Sequence, residues 1–381
     1  MSSGQPSQKP SQYQGKRLFA SIMLNRAPTV DFFRVQSICL RAIGISRRAT
    51  HADSVLYAFS FFTVLVMKLG TVLFAVKHID EIMLLCDCLG PTFTAYLGLV
   101  RQYNLRLHRS EVWHIVDELD ALKRTLQPNE IRIVQKYNRI DRFLAWAYLI
   151  TAMSTGVLFV GVALVLVVLS EQADWKLPLL MDFPFDVKHP VTFTIFFVWC
   201  SVAIFWVVLD CVACDASFGT FSSCLVAHFV IIQERFENLQ FGMVGNGRQL
   251  GKLIEYHKYI LHLSDRVIDA YKTVILNQLL ISSMLLCMLG FQLVISAGTT
   301  IMVVYVAYGT AITIQVTYYC YYGSQLYHES TLVHDAVYKS NWYETDVRTQ
   351  KMLINCMMRA KKSVNAKSGF TEASLPTLNA V

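Results

Sequence analysis

The sequence predicts an all-α protein: a polytopic transmembrane helix bundle with a cytosolic N-terminus and helical extensions into the cytosol. Of its 381 residues, 54% are hydrophobic and only 16% are charged, whereas a soluble domain has about 25% charged residues. The apolar residues also lie in long blocks instead of alternating with polar ones at helix or strand periods. Since about 20 apolar residues suffice to cross a bilayer as a helix, these blocks predict membrane spans and disfavour a soluble enzyme.

Six spans are predicted, and together they carry only three charged residues, Lys68, Asp87 and Asp210. Because ionisable groups within a span are costly, we hypothesise that Lys68 and Asp87 form an ion pair. Asp210 lies close to the inner boundary, where we expect it to be hydrated. The spans cover residues 54–76, 82–100, 143–169, 191–213, 274–295 and 299–320.

The basic residues predict the orientation of the bundle. Four segments, residues 1–53, 101–142, 214–273 and 321–381, hold 30 of the 34 Lys and Arg residues. By the positive-inside rule these segments are cytosolic, and so is the N-terminus. The net charge of +7 therefore follows from topology and indicates anionic membrane lipid rather than nucleic acid as the partner. The chain divides into an N-terminal segment (1–53), the bundle (54–320) and a C-terminal cytosolic segment (321–381).

The cytosolic segments have helical periodicity. A helix is predicted from Ser110, as its N-cap, until Pro128 ends the pattern. Apolar residues at helical spacing also run from Leu250 to Tyr271, directly into the fifth span. Phe229, Ile232, Phe236 and Leu239 extend the fourth span in the same way, and a glycine-rich turn over residues 242–251 joins the two. This pattern predicts an antiparallel hairpin that packs either within its own chain or against another subunit.

The sequence shows no convincing enzyme or metal motif. His328-Glu329 lacks the second histidine of a zinc helix, because Leu332 occupies that position. Gly245-Asn246-Gly247 follows no strand and predicts a turn rather than a phosphate loop. Cys211 and Cys214 have the spacing of a redox or zinc pair but are interpreted as packing residues. We therefore expect no catalytic residue, metal or cofactor.

The outer half of the bundle is instead predicted to hold a pocket for a small apolar ligand. Aromatic rings, methionine and a few hydroxyl groups suit such a pocket, although each residue alone is more often a packing residue. The candidate ligand-binding residues are Phe93, Phe159, Trp199, Met288, Phe291, Tyr305 and Tyr308.

Two other classes of membrane protein are the alternatives. A metabotropic seven-helix receptor would have its N-terminus outside and Asp-Arg-Tyr at the end of its third span, whereas Asp141-Arg142-Phe143 begins a span here. A proton-coupled transporter would place several ionisable groups at the midplane, which the three charges above do not provide. A polytopic small-solute transporter stays open as an alternative.

Three runs near the C-terminus carry a family resemblance. They are Tyr319-Cys320-Tyr321-Tyr322-Gly323-Ser324-Gln325-Leu326, Ser340-Asn341-Trp342-Tyr343-Glu344 and Met357-Met358-Arg359-Ala360-Lys361-Lys362. Insect odorant receptors show a Tyr-Cys-x-x-Gly-x-x-Leu run, a segment like Ser-Asn-Trp-Tyr-Glu, and a Met-rich stretch ending in Arg-Ala-Gln-Lys. In these runs the chain resembles that family, and the inside N-terminus extends the resemblance to the whole chain.

The resemblance implies a subunit of a ligand-gated, non-selective cation channel in the plasma membrane of olfactory-neuron dendrites. Such subunits assemble as tetramers with a shared co-receptor and bind a small volatile odorant in the outer half of the bundle. The resemblance also implies a cytosolic anchor that holds subunits together. The candidate anchor residues are Leu253, Ile260, Val267, Trp342 and Tyr343.

In the family, a seventh helix follows the Arg-Ala-x-Lys stretch, crosses outward and lines the pore. Residues 370–381 resemble only the segment that leads into that helix. We therefore expect the sequence to be truncated before the pore helix, and conduction by this chain would depend on that helix.

Overall fold

The computed structural model describes residues 31–171, 175–184, 187, 189–239, 246–299, 301–365, 367–368 and 371–372. Within them, single-turn 3₁₀ helices at Asp31–Phe33 and Trp342–Glu344 and one two-residue strand pair, Lys367–Ser368 with Thr371–Glu372, accompany nine α-helices. The α-helices are α1 (Arg34–Ala42), α2 (His51–Lys77), α3 (Ile82–Leu107), α4 (Arg109–Arg124), α5 (Pro128–Leu169), α6 (Pro190–Glu237), α7 (Asn246–Ile295), α8 (Met302–Lys339) and α9 (Val347–Ala360).

Among the described residues, five helices are long and apolar enough to cross a membrane: α2, α3, α5, α6 and α7. The sixth predicted span falls in α8, which has the length but is not among the five. The tyrosine, threonine and glutamine residues of α8 lower its mean hydropathy. The all-α class is confirmed, and the chain is a multi-pass membrane protein; residues 373–381, most of the predicted lead-in to a seventh helix, lie outside the described residues.

The long helices extend well beyond the predicted spans. Helix α5 begins at Pro128 rather than at 143, because proline is favoured in the first turn and Gln127 and Glu130 form a capping box there. The predicted N-cap at Ser110 is wrong, since α4 begins at Arg109. These extensions form a basal layer at one end of the bundle. It consists of α1, α4, α9 and residues 101–107 of α3, 128–142 of α5, 214–237 of α6, 246–273 of α7 and 321–339 of α8.

Helix α6 lies at the centre of the basal layer. All residues from Asp210 to Phe229 are buried, on every face of the helix, by α1, α3, α5, α7 and α8. A helix that is apolar all round must be enclosed in this way. Phe229, Ile232 and Phe236 of α6 share one core with α7, which confirms the two predicted helices of the hairpin and shows that they pack within their own chain. Of the turn predicted between them, residues 240–245 lie outside the described residues.

Two histidines are buried in the basal layer, outside the predicted spans. The Nδ1 atom of His228 lies 2.6 Å from the Tyr256 hydroxyl, and Nδ1 of His257 lies 3.7 Å from Sγ of Cys356. Burial lowers the pKa of both imidazoles from 6.5 to about 4, with smaller contributions from Arg235 and Arg359 respectively. Both histidines are therefore neutral in the folded protein at pH 7.

Acidification is expected to destabilise the basal layer between pH 6.5 and pH 4. In that window the unfolded chain binds protons at both histidines and the folded chain does not. The free energy of unfolding therefore decreases as the pH is lowered. The loss at pH 5 is about 2 kcal/mol for each histidine. Thermal melting of the detergent-solubilised chain between pH 7 and pH 5 measures this slope. In the double variant His228→Asn with His257→Asn, the melting temperature should depend less on pH. An unchanged pH dependence in that variant would show that these two histidines are not its cause.

Candidate ligand cavity

A cavity of about 110 Å³ lies where α3, α5, α6 and α8 meet, with one side chain each from α2 and α7 and one from the segment before α6. Its walls are largely apolar, as expected for a small-molecule site. The lining residues are Met67, Pro91, Thr94, Ala95, Leu97, Arg101, Ala152, Thr155, Gly156, Phe159, Leu179, Ile204, Val207, Val208, Cys211, Leu285, Tyr308, Ala311, Ile312 and Gln315.

At the end of the cavity farther from the basal layer, a proline within α3 lines the wall. Pro91 lacks a backbone N–H and interrupts the hydrogen-bond ladder of the helix. One residue earlier, the Gly90 carbonyl accepts a hydrogen bond from the Tyr308 hydroxyl at 3.0 Å, and that hydroxyl also contacts the Thr94 hydroxyl. A Cβ on Gly90 would lie 3.4 Å from the Tyr308 ring, an ordinary van der Waals distance. Tyr308 therefore joins α8 to α3 at this end of the cavity.

Two of the seven candidate ligand-binding residues line the cavity. Phe159 and Tyr308 do so, with ring centroids 5.6 Å apart in an edge-to-face arrangement. Phe93 and Tyr305 pack against a neighbouring cluster of α7 and α8 that includes Tyr308. The other three lie away from the cavity wall: Trp199 packs against a second cluster, Met288 is half-buried and Phe291 is 46% exposed.

The predicted ion pair between Lys68 and Asp87 is wrong. Oδ1 of Asp87 accepts hydrogen bonds from Nε2 of Gln292 at 2.5 Å and from the Tyr305 hydroxyl at 2.6 Å. The ammonium group of Lys68 lies over the Tyr96 ring, 4.8 Å from its centroid. Each charge thus has a neutral partner, an amide and a phenol for the carboxylate and an aromatic face for the ammonium.

At the end of the cavity nearer the basal layer, Arg101 lines the wall and belongs to a buried ion pair. Nε and Nη2 of Arg101, on α3, donate to the two carboxylate oxygens of Asp215, on α6, at 2.8 and 3.1 Å. Arg101 is 1% exposed and Asp215 is fully buried. This two-pronged geometry is the strongest form of an arginine–carboxylate interaction. The pair therefore joins two helices at the level where the bundle meets the basal layer.

Hydrogen bonds connect this ion pair to three further helices. The hydroxyls of Tyr148 on α5 and Tyr319 on α8 donate to Asp215 at 2.8 and 2.6 Å. Gln278 on α7 accepts from Nη2 of Arg101 at 2.5 Å, and Gln315 on α8 donates to the Tyr148 hydroxyl at 2.9 Å. Five helices thus meet in one buried polar network, whose members Arg101 and Gln315 also line the cavity.

Sequence reasoning missed this network because it assigned Arg101 and Asp215 to hydrated cytosolic segments. One signal was available: between Pro190 and Gln233 the only acidic or basic side chains other than His228 are Asp210 and Asp215. Such an apolar run predicts enclosure well past the end of the fourth span. The predicted hydration of Asp210 is also wrong, since it is fully buried and its carboxylate has no hydrogen-bond partner among the described residues.

The candidate anchor residues lie in the basal layer. Leu253, Ile260 and Val267 are buried in the chain's own core, so their side chains pack intramolecularly. Trp342 is half-buried against the same core and Tyr343 is 63% exposed. Within the part of the chain that the structure describes, no cluster of three or more His, Cys, Asp or Glu residues could hold a metal ion.

The long apolar helices and the largely apolar cavity between them define a multi-pass helical membrane protein with a site for a small molecule. Residues 81–381 match the family model of the 7tm odorant receptors, and the chain belongs to this family. It is 25% identical to odorant receptor 82a of Drosophila melanogaster over 360 residues, covering 90% of this chain and 94% of the relative. It is 26% identical to odorant receptor 47a of the same insect over 329 residues, covering 81% and 84%.

The fold is also similar to that of a solved insect receptor. The olfactory receptor OR5 of Machilis hrabei, determined in complex with eugenol, superposes with a TM-score of 0.80 at 14% sequence identity. The match covers 92% of this chain and 96% of that one. At this identity the similarity shows the fold alone, and it confirms the fold that the sequence resemblance implies.

Proposed function

We propose that this protein is an odorant-binding subunit that gates a heteromeric, non-selective cation channel together with the odorant receptor co-receptor. The observation that carries the proposal is the apolar cavity between Phe159 and the Arg101–Asp215 pair, enclosed by the helices of a family of odorant receptors. A pocket of this kind suits a small volatile ligand. We place the protein in the plasma membrane of olfactory-neuron dendrites, with the basal layer and the N-terminus in the cytosol.

The surface of α9 and of the 3₁₀ helix that precedes it supports assembly with other subunits. Tyr343, Val347 and Met358 are 63%, 65% and 68% exposed in the single chain. Apolar side chains exposed on a basal layer outside the bilayer are typical of protein–protein contact surfaces. We propose that these residues contact the neighbouring subunit, while Leu253, Ile260 and Val267 hold the underlying helices in place from within.

Filling the cavity is expected to weaken the response to ligand while leaving the protein folded. Ala311→Leu adds a branched side chain to the cavity wall, so we expect at least a tenfold loss of ligand potency, equivalent to about 1.4 kcal/mol. The measurement is ligand-evoked current in cells that also express the co-receptor, together with surface labelling. Ala307→Leu, one turn away and outside the cavity, is the matched control.

A second control comes from the residues that the sequence alone selected. Phe291 lies on the exposed face of α7, so Phe291→Ala should keep ligand potency within about threefold of the wild-type value. Phe159→Ala should instead change ligand preference, because the Phe159 ring forms part of the cavity wall. Equal responses in Ala311→Leu and wild-type cells would place the binding site elsewhere. Ligand-independent transport of a solute by this chain alone would contradict the proposed function.

A further inference from the structure

The N–H groups of the Arg101 guanidinium have hydrogen-bond acceptors of unequal strength. An arginine carries five N–H donors and no acceptor. Nε and Nη2 donate to the Asp215 carboxylate, and Nη2 also donates to the Gln278 side-chain oxygen. The partner that the structure gives Nη1 is Sγ of Cys211, at 3.4 Å. Because a thiol sulfur is a weak acceptor, Nη1 is the poorly satisfied end of a buried cation.

This end of the guanidinium lies at the cavity. Arg101 and Cys211 both line it, and Arg101 is 1% exposed, so little of its guanidinium contacts bulk water. A charged donor in an apolar environment gains more from a good acceptor than the same donor in water. An oxygen atom of a molecule in the cavity would supply that acceptor.

The other polar groups of the cavity wall already have oxygen partners. The hydroxyls of Thr94 and Tyr308 contact each other, and Tyr308 also donates to the Gly90 carbonyl. The Thr155 hydroxyl donates to the Thr151 carbonyl at 3.0 Å, and Gln315 donates to the Tyr148 hydroxyl at 2.9 Å. Nη1 is thus the wall group with most to gain from an acceptor brought by a ligand.

The charge of the site also restricts the ligand. The carboxylate of Asp215 neutralises the guanidinium, and both groups are buried, so an anionic ligand would leave one negative charge unpaired in an apolar environment. A neutral oxygen atom accepts the same hydrogen bond without that cost.

We infer that the cavity selects neutral ligands with an apolar body and one acceptor oxygen, such as a ketone, ester or alcohol. The oxygen accepts from Nη1 of Arg101 in place of Cys211 Sγ, and the apolar body lies between Phe159 and Tyr308. Arg101 is a specificity-determining residue in addition to its structural role. The inference rests on the proposed function, since it assigns the chemistry of the ligand to the same cavity.

The experiment compares pairs of ligands that have the same shape and differ in the oxygen. 2-Heptanone and 2-methyl-1-heptene form one such pair, in which a methylene group replaces the carbonyl oxygen, and shorter and longer homologues form others. Apparent affinities are measured by ligand-induced thermal stabilisation of the purified full chain in detergent. In the wild-type chain we expect each ketone to bind about tenfold more tightly than its alkene, as for one hydrogen bond from a charged donor.

Two substitutions of Cys211 test the assigned donor without touching the ion pair. Cys211→Ser introduces a stronger acceptor that competes with the ligand oxygen, so the preference for the ketone should fall to about threefold or less. Cys211→Ala removes the competing thiol, so the preference should be kept or increased. The alanine variant also reports any effect of altered packing.

The possible failures are distinguishable. Equal binding of ketones and alkenes by the wild-type chain would overturn the inference and leave the proposed function standing. So would an unchanged preference in the folded Cys211→Ser variant. If no member of any pair stabilises the folded wild-type chain, the proposed function fails, and the inference fails with it.

Discussion

Replacing Asp215 with leucine is expected to prevent this protein from reaching a stable fold. The substitution leaves Arg101 as a fully buried, uncompensated cation, and removing one partner of a buried ion pair costs about 3–5 kcal/mol. It also removes the acceptor of the Tyr148 and Tyr319 hydroxyls. Because a typical domain is stable by only about 5–15 kcal/mol, we expect severe loss of monodisperse protein in detergent and of surface expression in cells.

A double variant separates the charge from the packing. Arg101→Met combined with Asp215→Leu removes both charges and fills the site with apolar side chains, which is often neutral or stabilising for a buried pair. We expect this variant to recover most of the surface expression that Asp215→Leu loses. If the Asp215→Leu single variant melted at the wild-type temperature, the ion pair would contribute little to the stability of the protein.

The second large effect is expected at Gly219, where α6 meets α8. A Cβ at this position would overlap the Tyr318 hydroxyl oxygen and would lie 2.6 Å from two of the tyrosine's ring carbons. The ring cannot move freely, because it is 6% exposed and lies between Tyr148 and Tyr322 at centroid distances of 5.6 and 4.8 Å. Gly219→Ala is therefore expected to destabilise the protein by about 1–3 kcal/mol through overpacking, measured as a lower melting temperature.

The matched control is a glycine on another long helix. At Gly161 of α5 a Cβ would have no neighbour within 4 Å, so Gly161→Ala should stabilise the helix by about 0.5–1 kcal/mol. The opposite signs at two helical glycines isolate the contact from helix propensity. Combining Gly219→Ala with Tyr318→Leu, which removes the obstructing ring, should recover part of the loss. A higher melting temperature for Gly219→Ala alone would contradict the close contact between α6 and α8.

The sequence predicted the helices better than their ends. Apolar blocks such as 143–169 located the spans because hydropathy is a local property of the chain. The helix that contains this block starts at Pro128 instead, since polar residues such as Glu130 continue a helix as readily as apolar ones. Hydropathy locates the apolar part of a helix, whereas its first residue is marked only by the capping residues.

Of the seven candidate ligand-binding residues chosen from the sequence, two line the cavity. An aromatic zone in the outer half of the spans was identified, and Phe159 and Tyr308 do meet at the cavity. Phe291 belongs to the same zone but is exposed, because the rotation of a helix about its axis depends on its neighbours. Span sequences that are apolar on every face do not encode that rotation in their hydropathy.

By itself, the sequence determined the class of the protein. Long apolar blocks, the distribution of basic residues and three C-terminal runs predicted a polytopic helical membrane protein related to insect odorant receptors, which the family match confirms. Only the tertiary structure decided which polar residues are partners. Arg101 and Asp215 are separated by 114 positions, so their pairing depends on how five helices pack. The same packing, rather than any local pattern, brings them to the inner end of the cavity.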